Sequence, residues 1–391
     1  MPKPRLLFLT SRFPYPLDKG DKLRAFHLIR RLSSRFDIFL FAISDTEPDA
    51  ESMNALRPWC REMEIYRIHK ISSLFSILKH NNTPFQVAYF YSAAAMKRIK
   101  AFQSKHRTEA VFCHLIRMAE YARALPHPRI LDYMDTFSKG VERMKATSSF
   151  WLNPALDIEQ KRLMKYEGEV FGLFDERLII SQQDRDHIPH AEKEKIKVVP
   201  NGVDSDYYHP MVAEKRYDLL FNGHLSYPPN IASAEFLARE IFPLVKKTRP
   251  ETTLLIAGAD PVAAVRRLEG DGITVQGRVP DIRPAFAASK ILVAPMLISI
   301  GLQNKILQAM AMKIPSVVSA LANNALGAVD VEQVMVATEP EEYGNIIVRL
   351  LDDEALRTSI GEAAYDFVLN NYNWDRNVSA LADAIMKLIR K

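Results

Sequence analysis

Short hydrophobic runs alternate with amphipathic stretches along nearly the whole chain. The runs are almost continuously apolar, which is typical of parallel strands that are covered on both faces. The stretches between them have the apolar spacing of helices, as in 21–35. This alternation predicts an α/β fold with doubly wound parallel sheets. In the first half the predicted strands are Leu6–Thr10, Ile38–Ile43, Ala110–His114, Ile130–Tyr133 and Arg177–Ser181.

The second half of the chain repeats the pattern and predicts a second doubly wound domain. Proline and Asn-Gly in 198–204 mark a hinge between the two. We predict an N-terminal domain over 1–195 and a C-terminal domain over 196–370. The remaining residues, 371–391, are predicted to form a helix. Either domain is a candidate to bind this helix, and binding to the first domain would require the chain to cross back. The predicted strands are Asp218–Phe221, Thr253–Ala257, Ile273–Gln276, Ile291–Ala294 and Pro315–Ser319, with helices near 230–248, 261–269, 281–289 and 302–312.

The composition excludes several classes of protein. The 391 residues are 48% hydrophobic and 25% charged, which excludes a disordered chain and suggests two or three domains. No apolar stretch approaches the ~18 residues of a membrane-spanning helix, and the apolar run after the basic N-terminus is too short for a signal peptide. Cys60 and Cys113 are far apart and match no metal-ligand spacing, so we expect a reducing, cytoplasmic location.

The positive charge lies in the front half. Residues 1–190 carry 30 Lys and Arg against 22 Asp and Glu, giving +8, whereas residues 191–391 carry 22 against 25, giving −3. The basic residues are scattered and match no zinc-finger, RNP or helix-turn-helix pattern, so we expect no nucleic-acid partner. An anionic membrane surface or a phosphorylated substrate explains the same charge.

The segment after the first predicted strand lacks the Gly-x-Gly-x-x-Gly of dinucleotide enzymes, which argues against hydride transfer with NAD. Gly20 precedes the first predicted helix, where backbone N–H groups suit a phosphate. A plain turn explains this glycine equally well.

Two pairs of aspartates have the spacing of a divalent-ion site. They are Asp184 with Asp186, and Asp204 with Asp206. Helix capping and solvation explain both pairs, so we predict no metal.

A strand, a glycine loop and a helix succeed one another in 294–311. Lys305 falls in the first turn of that helix, where a cation is mildly unfavourable unless an anion lies nearby. Free backbone N–H groups at the helix start would suit a diphosphate. The alternative is a surface lysine on a helix whose other residues pack inward.

This stretch, continued by Leu307–Met312 and Pro315–Ser319, resembles the donor-site signature of glycosyltransferase family 4, whose members have the two-domain GT-B fold. Arg12–Lys22 and Gly301–Lys305 are more narrowly similar to bacterial sugar transferases associated with exopolysaccharide export. Further segments in the family's order extend the resemblance over essentially the whole chain: Pro200–Asp204, Phe221–His224, Ile256–Asp260 and Val275–Val279.

The resemblance implies two Rossmann-like domains facing across a cleft and transfer of a sugar, with retention, from a UDP- or GDP-linked nucleotide sugar to a lipid-linked or polysaccharide acceptor. It implies no metal and no other cofactor. Lys305 and His224 would stabilise the leaving diphosphate, and closure about Asn201-Gly202 would exclude water. The implied donor-binding residues are Gly223, Gly277, Arg278, Gly301, Leu302, Gln303, Asn304 and Gln308.

The chain departs from the family at two carboxylates. The family places Glu at the positions of Ile300, toward the donor sugar, and of Gln308, toward the ribose. Gln308 can still hydrogen-bond a ribose, whereas the side chain of Ile300 cannot bind a sugar hydroxyl. The usual Arg and Lys for the diphosphate are also absent, and Lys305 is the candidate substitute.

In the front domain the family often has a histidine close to the reacting sugar. Asp135 is the corresponding candidate here and Asp132 the second, with capping of the next helix as the alternative role. Gly20, Asp21 and Lys22 would lie on the acceptor side, near the phosphate end.

A membrane contact is a further expectation for the front domain, against the inner membrane face. Apolar and aromatic residues in 74–79 and 85–91 precede Lys97, Arg98 and Lys100, a mixture that suits anionic headgroups. The alternative is that the aromatic side chains are core and the cations merely solvated.

Two other functions fit the same fold. A nucleotide-sugar epimerase would convert the donor without an acceptor. A degenerate scaffold, lacking both carboxylates, would bind a partner transferase instead of catalysing transfer.

Overall fold

A computed structural model describes residues 2–68, 76–77, 82–126, 128–145, 150–298 and 301–390. The chain folds into two compact units. One contains the chain up to Pro200 together with the terminal segment from Trp374, and the other is Asn201–Asn373. The division after Pro200 lies five residues beyond the boundary taken from the sequence. Across the described ranges, no helix is long and apolar enough to span a bilayer.

The first unit is built on a seven-stranded parallel sheet in the order β3-β2-β1-β4-β5-β6-β7. Five of its strands, β1, β2, β4, β5 and β6, match the hydrophobic runs of the sequence. The other two, β3 and β7, were not predicted. The strands are Arg5–Thr10 (β1), Asp37–Ser44 (β2), Glu62–Arg67 (β3), Ala110–His114 (β4), Arg129–Asp132 (β5), Glu176–Ile179 (β6) and Lys197–Val198 (β7).

Both faces of this sheet are buried, which explains the continuous apolar runs. Successive residues of β1 pack into different cores, Leu7 and Leu9 on one side, Leu6 and Phe8 on the other. The covering helices are Gly20–Leu32 (α1), Ala50–Leu56 (α2), Phe85–Phe90 (α3), Ala93–His106 (α4), Ala119–Arg123 (α5), Phe137–Lys145 (α6), Asn153–Glu169 (α7) and Gln182–His187 (α8).

The second unit has a six-stranded parallel sheet in the order β10-β9-β8-β11-β12-β13. All five predicted strands are present, and β13 is additional. The strands are Tyr217–Asn222 (β8), Leu254–Ala257 (β9), Ile273–Gln276 (β10), Ser289–Ala294 (β11), Ser316–Ser319 (β12) and Met335–Ala337 (β13).

Helices cover both faces of the second sheet as well, with two separate cores. A π-helical segment, Leu237–Ile241, joins the first two helices into the long one that the sequence predicts. The helices are Pro228–Phe236 (α9), Phe242–Thr248 (α10), Ala263–Arg266 (α11), Arg283–Ala287 (α12), Asn304–Ala311 (α13), Ala320–Leu326 (α14), Pro340–Asp352 (α15) and Glu354–Asn371 (α16). Two Rossmann-like doubly wound domains, as expected from the sequence, are thus confirmed.

The terminal helix Trp374–Ile389 (α17) belongs to the first unit, where it packs against α1. Trp374 is buried and stacks on His27 with ring centroids 5.0 Å apart. Asn377 donates a hydrogen bond to the Pro200 carbonyl oxygen at 3.2 Å. The sequence had left open which domain this helix joins.

Candidate functional site

The carboxyl ends of parallel strands meet at one edge of a sheet, where ligands of doubly wound domains bind. In the second unit this edge collects the loops after β8, β9, β10 and β11 and the start of α13. The predicted donor-side residues all lie in these loops or on α13.

Two glycines let the loops after β8 and β9 approach each other closely. A Cβ on Gly258 would lie 1.7 Å from the carbonyl oxygen of Gly223, and a Cβ on Gly223 would lie 2.7 Å from the side-chain nitrogen of Asn230. A larger residue at Gly258 would push the two loops apart, and a larger residue at Gly223 would displace the Asn230 side chain. Glycine is therefore needed here for contact between the loops themselves.

Asn230, near the start of α9, connects three parts of the site. Its Nδ2 donates to the His224 carbonyl oxygen at 3.0 Å, and its Oδ1 accepts from the Lys305 ammonium at 2.8 Å. A carbonyl only accepts and an ammonium only donates, so these two partners fix the orientation of the amide.

Lys305 is buried, with 7% of its surface exposed. Its Nζ lies 3.7 Å from the Met296 sulfur and 4.5 Å from the centre of the Phe221 ring. The alternative of a solvated surface lysine is therefore wrong. Burial lowers the pKa of Lys305 from 10.5 to about 7.

The ammonium of Lys305 has no carboxylate partner within the described part of the chain. A lysine ammonium has three donors, and the Asn230 oxygen accepts one of them. A buried cation without a counter-ion is costly, which is why the neutral amine is strongly populated here. An anionic ligand at this position would restore the charged form.

A second group of charges lies in the loops after β8, β9 and β10. The His224 Nε2 is 3.2 Å from an Asp260 carboxylate oxygen, and the Arg278 guanidinium is 3.5 Å from the same oxygen. The other ring nitrogen of His224 lies 2.9 Å from the Ser226 hydroxyl. Arg278 is more than half exposed, so it is available to a ligand at this edge.

The remaining predicted donor residues differ in their exposure. Gly301 has a positive φ of 67°, and Leu302 is buried in the core. The buried amide oxygen of Asn304 has no hydrogen-bond partner among the residues that the structure describes. Ile300 lies outside the described residues. The other three donor residues are partly exposed. Gln303 donates a hydrogen bond to the Gly301 carbonyl oxygen, Gln308 lies on α13, and Gly277 follows β10.

In the first unit, a buried network follows β4 and β5. The Arg24 guanidinium donates to both carboxylate oxygens of Asp132, at 2.8 and 2.9 Å, and His114 Nδ1 lies 3.0 Å from the same carboxylate. Burial alone would raise the pKa of Asp132, but the Arg24 charge and these hydrogen bonds hold it well below its ordinary value. Asp132 is fully enclosed by these partners, so the second catalytic candidate is a structural residue.

Asp135 has a different environment, three residues further on. Its carboxylate oxygen Oδ1 is buried and unpartnered among the described atoms. Burial, reinforced by the charge of Asp184, raises the pKa of Asp135 from 3.8 to about 7. The start of α6 is instead capped by Glu167, which accepts from the backbone N–H and the hydroxyl of Ser138. The capping role considered for Asp135 is therefore wrong.

Two arginines lie near Asp135 and the start of α1. Arg12 forms an ion pair with Asp21 at 2.6 Å. Arg117 donates to the Gln86 side chain, and burial together with the Arg12 charge lowers its pKa to about 10. The negative charges of Asp21 and Asp135 raise the pKa of Arg117 and partly offset this effect. These side chains form a mixed-charge cluster at the carboxyl edge of the first sheet.

The other acceptor-side candidates have local roles in the described structure. Gly20 begins α1, and a Cβ there would meet the Met134 side chain at 3.3 Å. Lys22 pairs with Asp18 at 3.1 Å.

Of the aspartates considered as metal ligands, Asp184 and Asp186 accept hydrogen bonds from neighbouring side chains. Asp184 accepts from the Ser181 hydroxyl, and Asp186 accepts from the Gln182 amide at 2.9 Å. At Asp204 it is the backbone carbonyl oxygen, and not the carboxylate, that accepts the N–H groups of Tyr207 and Tyr208. Within the described ranges, no group of three or more His, Cys, Asp or Glu side chains is arranged to hold a metal ion.

The stretch expected to contact a membrane is partly core. Val87 and Phe90 are buried, and Arg98 pairs with Glu64 at 2.8 Å. Phe85, Tyr89 and Tyr91 are partly exposed, so the expected membrane contact stays a prediction. Of the segment 74–79, residues 74–75 and 78–79 lie outside the described residues.

Three residues of these sites were not predicted from the sequence: Asn230, His114 and Arg117. Asn230 was visible only as part of a Pro-Pro-Asn turn. The signal that could have found the other two is their position at or just after the end of β4, where parallel strands deliver functional side chains.

Comparison with known proteins finds a family similarity for the second unit. Residues 216–353 match the family model described as glycosyl transferases group 1. The second unit is therefore similar to that family over most of its length. The match begins just before β8 and ends after α15, so it includes every donor-side residue discussed above.

Whole-chain similarities agree with this assignment of the fold. An uncharacterised 44.6 kDa protein from the cps region of Klebsiella pneumoniae is 22% identical over 96% of this chain and 98% of its own length. A sucrose-phosphate synthase from Thermosynechococcus elongatus is 16% identical, with a TM-score of 0.70 over 99% of each chain. Anabaena HepE in complex with UDP is 14% identical, with a TM-score of 0.71 over 98% of this chain and 100% of its own. HepE has also been solved with UDP-glucose, at a TM-score of 0.69. The neighbours are GT-B glycosyltransferases, which confirms the expected fold class.

Proposed function

We propose that the protein is a glycosyltransferase that transfers a sugar from a nucleoside diphosphate sugar to a glycan or lipid-linked acceptor. The observation that carries the proposal is the buried ammonium of Lys305, which lacks a carboxylate at the sheet edge of a group 1 domain. The diphosphate of the donor is the counter-ion that this ammonium lacks.

The diphosphate gains negative charge as the bond to the anomeric carbon breaks. Lys305, His224 and Arg278 would stabilise that charge as fixed cations and donors, which require little reorganisation during the reaction. The neutral fraction of Lys305 takes up a proton when the anion binds, because the ligand raises the pKa of the amine again. Gln308 and the backbone near Gly277 hold the ribose and the base.

The acceptor hydroxyl forms the new bond to the anomeric carbon and releases a proton. Asp135 is our candidate to take it, since a pKa of about 7 leaves both forms populated at neutral pH. Arg12, Asp21 and Arg117, in the same cluster, would orient the acceptor. Retention of configuration and independence of metal ions are proposed from the resemblance to family 4.

Two neighbours narrow the substrates that we propose. HepE has been solved with UDP and UDP-glucose, which supports a UDP-linked hexose as the first donor to test. The Klebsiella relative is encoded in a cps region, which supports an acceptor in surface-polysaccharide synthesis.

We place the reaction in the cytoplasm, as expected from the two free cysteines.

A screen for slow hydrolysis of UDP- and GDP-linked sugars tests the proposal without knowledge of the acceptor. We expect one donor to release free sugar and nucleoside diphosphate, and Lys305→Met to abolish the release. An epimer formed from the donor alone would indicate an epimerase. Failure of UDP, GDP and ADP to bind in calorimetry would indicate a scaffold and would overturn the proposal.

A further inference from the structure

His224, Ser226 and Asp260 form a hydrogen-bonded chain at the carboxyl edge of the second sheet. The Nδ1 of His224 lies 2.9 Å from the Ser226 hydroxyl, and the Nε2 lies 3.2 Å from a carboxylate oxygen of Asp260. Both ring nitrogens are therefore engaged by neighbouring side chains. While these two contacts are in place, the imidazole has no further N–H to offer a ligand.

The backbone holds the histidine and the serine of this chain in place. Between them, Leu225 is buried in the core, whereas His224 is partly exposed and Ser226 is exposed. The Leu225 N–H donates to the Ala259 carbonyl oxygen at 2.7 Å, and the Tyr227 N–H donates to the His224 carbonyl oxygen at 3.1 Å. The turn that carries both side chains is thus tied to the core and to the loop after β9.

Asp260 determines which nitrogen of His224 carries a proton. It has a φ of 53°, in the left-handed region that aspartate tolerates better than most residues. The oxygen that meets His224 also lies 3.5 Å from the Arg278 guanidinium. A carboxylate accepts hydrogen bonds and does not donate them, so the Nε2 of His224 carries a proton and donates it to Asp260.

The other contact, between Nδ1 and the Ser226 hydroxyl, has two forms. In the neutral ring, Nδ1 accepts the hydroxyl hydrogen, and a ligand meets only oxygen lone pairs. In the imidazolium ring, Nδ1 donates to the hydroxyl oxygen, and the hydroxyl hydrogen is free to donate outward. A polyanionic ligand stabilises the second form, because it favours a positive ring and accepts the free hydrogen.

Aspartate, histidine and serine also form the nucleophilic triad of many hydrolases. The surroundings of Ser226 do not suit that role. Pro228 and Pro229, at the start of α9, have no backbone N–H, and the N–H groups of Leu225 and Tyr227 already donate to carbonyl oxygens. An oxyanion formed at Ser226 would lack these donors. The geometry therefore favours a hydrogen-bond donor over a nucleophile.

We propose that the Ser226 hydroxyl donates to the diphosphate of the nucleotide sugar and that His224 acts on the diphosphate through Ser226, with Asp260 orienting the ring. The inference rests on the proposed function. The turn that carries Ser226 is joined to the lysine of the same site, since Asn230 donates to the His224 carbonyl oxygen and accepts from Lys305. Ser226 contacts the ligand in this arrangement, and His224 and Asp260 are positioning residues.

Calorimetry with UDP, inorganic pyrophosphate and uridine tests the contact. Ser226→Ala should weaken the binding of UDP and pyrophosphate about tenfold, as expected for the loss of a hydrogen bond to a charged group, and should leave uridine binding unchanged. Ser226→Thr keeps a hydroxyl and should restore most of the affinity. The matched control is Ser359→Ala, which removes an exposed hydroxyl from the same unit and should change none of the three affinities.

A double-variant cycle separates an indirect role of His224 from a direct one. If His224 acts through Ser226, the double variant His224→Gln with Ser226→Ala should bind UDP no more weakly than the weaker of the two single variants. Additive losses would mean that His224 touches the diphosphate itself, and the relay through Ser226 would be wrong.

Two further results would overturn the proposal. One is a folded Ser226→Ala variant that binds UDP as tightly as the wild type. The other is an equal loss of UDP and uridine affinity in that variant, which would assign Ser226 to the nucleoside or to the fold. Failure of the wild-type protein to bind UDP, GDP or ADP is a separate result, visible before any variant is made, and it would contradict the proposed function and this inference together.

Discussion

The ammonium nitrogen of Lys305 lies 2.8 Å from the amide oxygen of Asn230, inside the second unit. A neutral amide holds the lysine in place without neutralising it. A carboxylate at the same position would form a buried ion pair and leave no charge for a ligand. The pair therefore orients a cation while keeping it available.

Asn230→Asp tests this role, because it converts the amide into a carboxylate of nearly the same shape. The new charge should pair with Lys305 and repel a diphosphate. We expect the affinity for UDP to fall about tenfold or more, which corresponds to about 1.4 kcal/mol. Calorimetry measures the change. Asn371→Asp, at an exposed helix end, is the matched control and should bind UDP as the wild type does. If Asn230→Asp binds UDP as tightly as Asn371→Asp does, the proposed role of Asn230 in keeping the Lys305 charge available is wrong.

The pH dependence of nucleotide binding follows from the pKa of Lys305, about 7 in the free protein. Binding favours the ammonium, so above pH 7 it must be accompanied by proton uptake, and the affinity for UDP should fall as pH rises from 7 to 9. The terminal phosphate, with a pKa of about 6, is mostly ionised at pH 7, and its remaining ionisation would raise the affinity rather than lower it. Calorimetry in buffers of different ionisation enthalpy measures the uptake. Lys305→Met should bind weakly and without this pH dependence. If the affinity of the wild-type protein for UDP does not change with pH, Lys305 does not bind the diphosphate as its ammonium form.

Asp135→Asn should stabilise the fold while removing turnover. The pKa of Asp135 is raised in the folded state, so the native protein binds its proton more tightly than the unfolded chain does between pH 3.8 and 7. Stability is lost as pH rises through that window, and above it a buried charge remains. The variant should gain about 1–3 kcal/mol at pH 8 and little at pH 4, measured by thermal unfolding. The exposed Asp45→Asn is the control and should change neither property. A destabilised Asp135→Asn variant at pH 8 would argue against the burial of this charge.

Activity should survive EDTA. The proposed stabilisation of the leaving group uses Lys305, His224 and Arg278, and the aspartates at 184 and 186 are hydrogen-bonded to neighbouring side chains. Donor hydrolysis with and without chelator is the measurement. Loss of turnover that Mg²⁺ or Mn²⁺ restores would point to a metal site instead.

The sequence was sufficient for most of the sheet architecture, since buried parallel strands are continuous apolar runs. It missed β3 because Glu62–Arg67 alternates charged and apolar residues at a half-exposed sheet edge. It missed β13 because three residues are too short to stand out from a loop. Edge strands depend on their neighbours more than on their own composition.

The candidate sites were less predictable than the fold. The position of Lys305 in a first helical turn followed from the sequence, but its burial did not, because Phe221 and Asn230 cover it from distant parts of the chain. Asp132 and Asp135 were indistinguishable in sequence. Arg24, 108 residues away, makes one of them structural and leaves the other with a raised pKa.

The most direct test of the central claim is the affinity of Lys305→Ala for UDP and GDP at pH 7, measured by calorimetry beside the wild type. Lys247→Ala, which removes an exposed charge from the same unit, is the control. If the buried ammonium binds the diphosphate, Lys305→Ala should lose about 1.5–3 kcal/mol of binding free energy, or about 10-fold to 150-fold in affinity. The control should lose none. A correctly folded Lys305→Ala that binds the nucleoside diphosphate as tightly as the wild type would contradict the account.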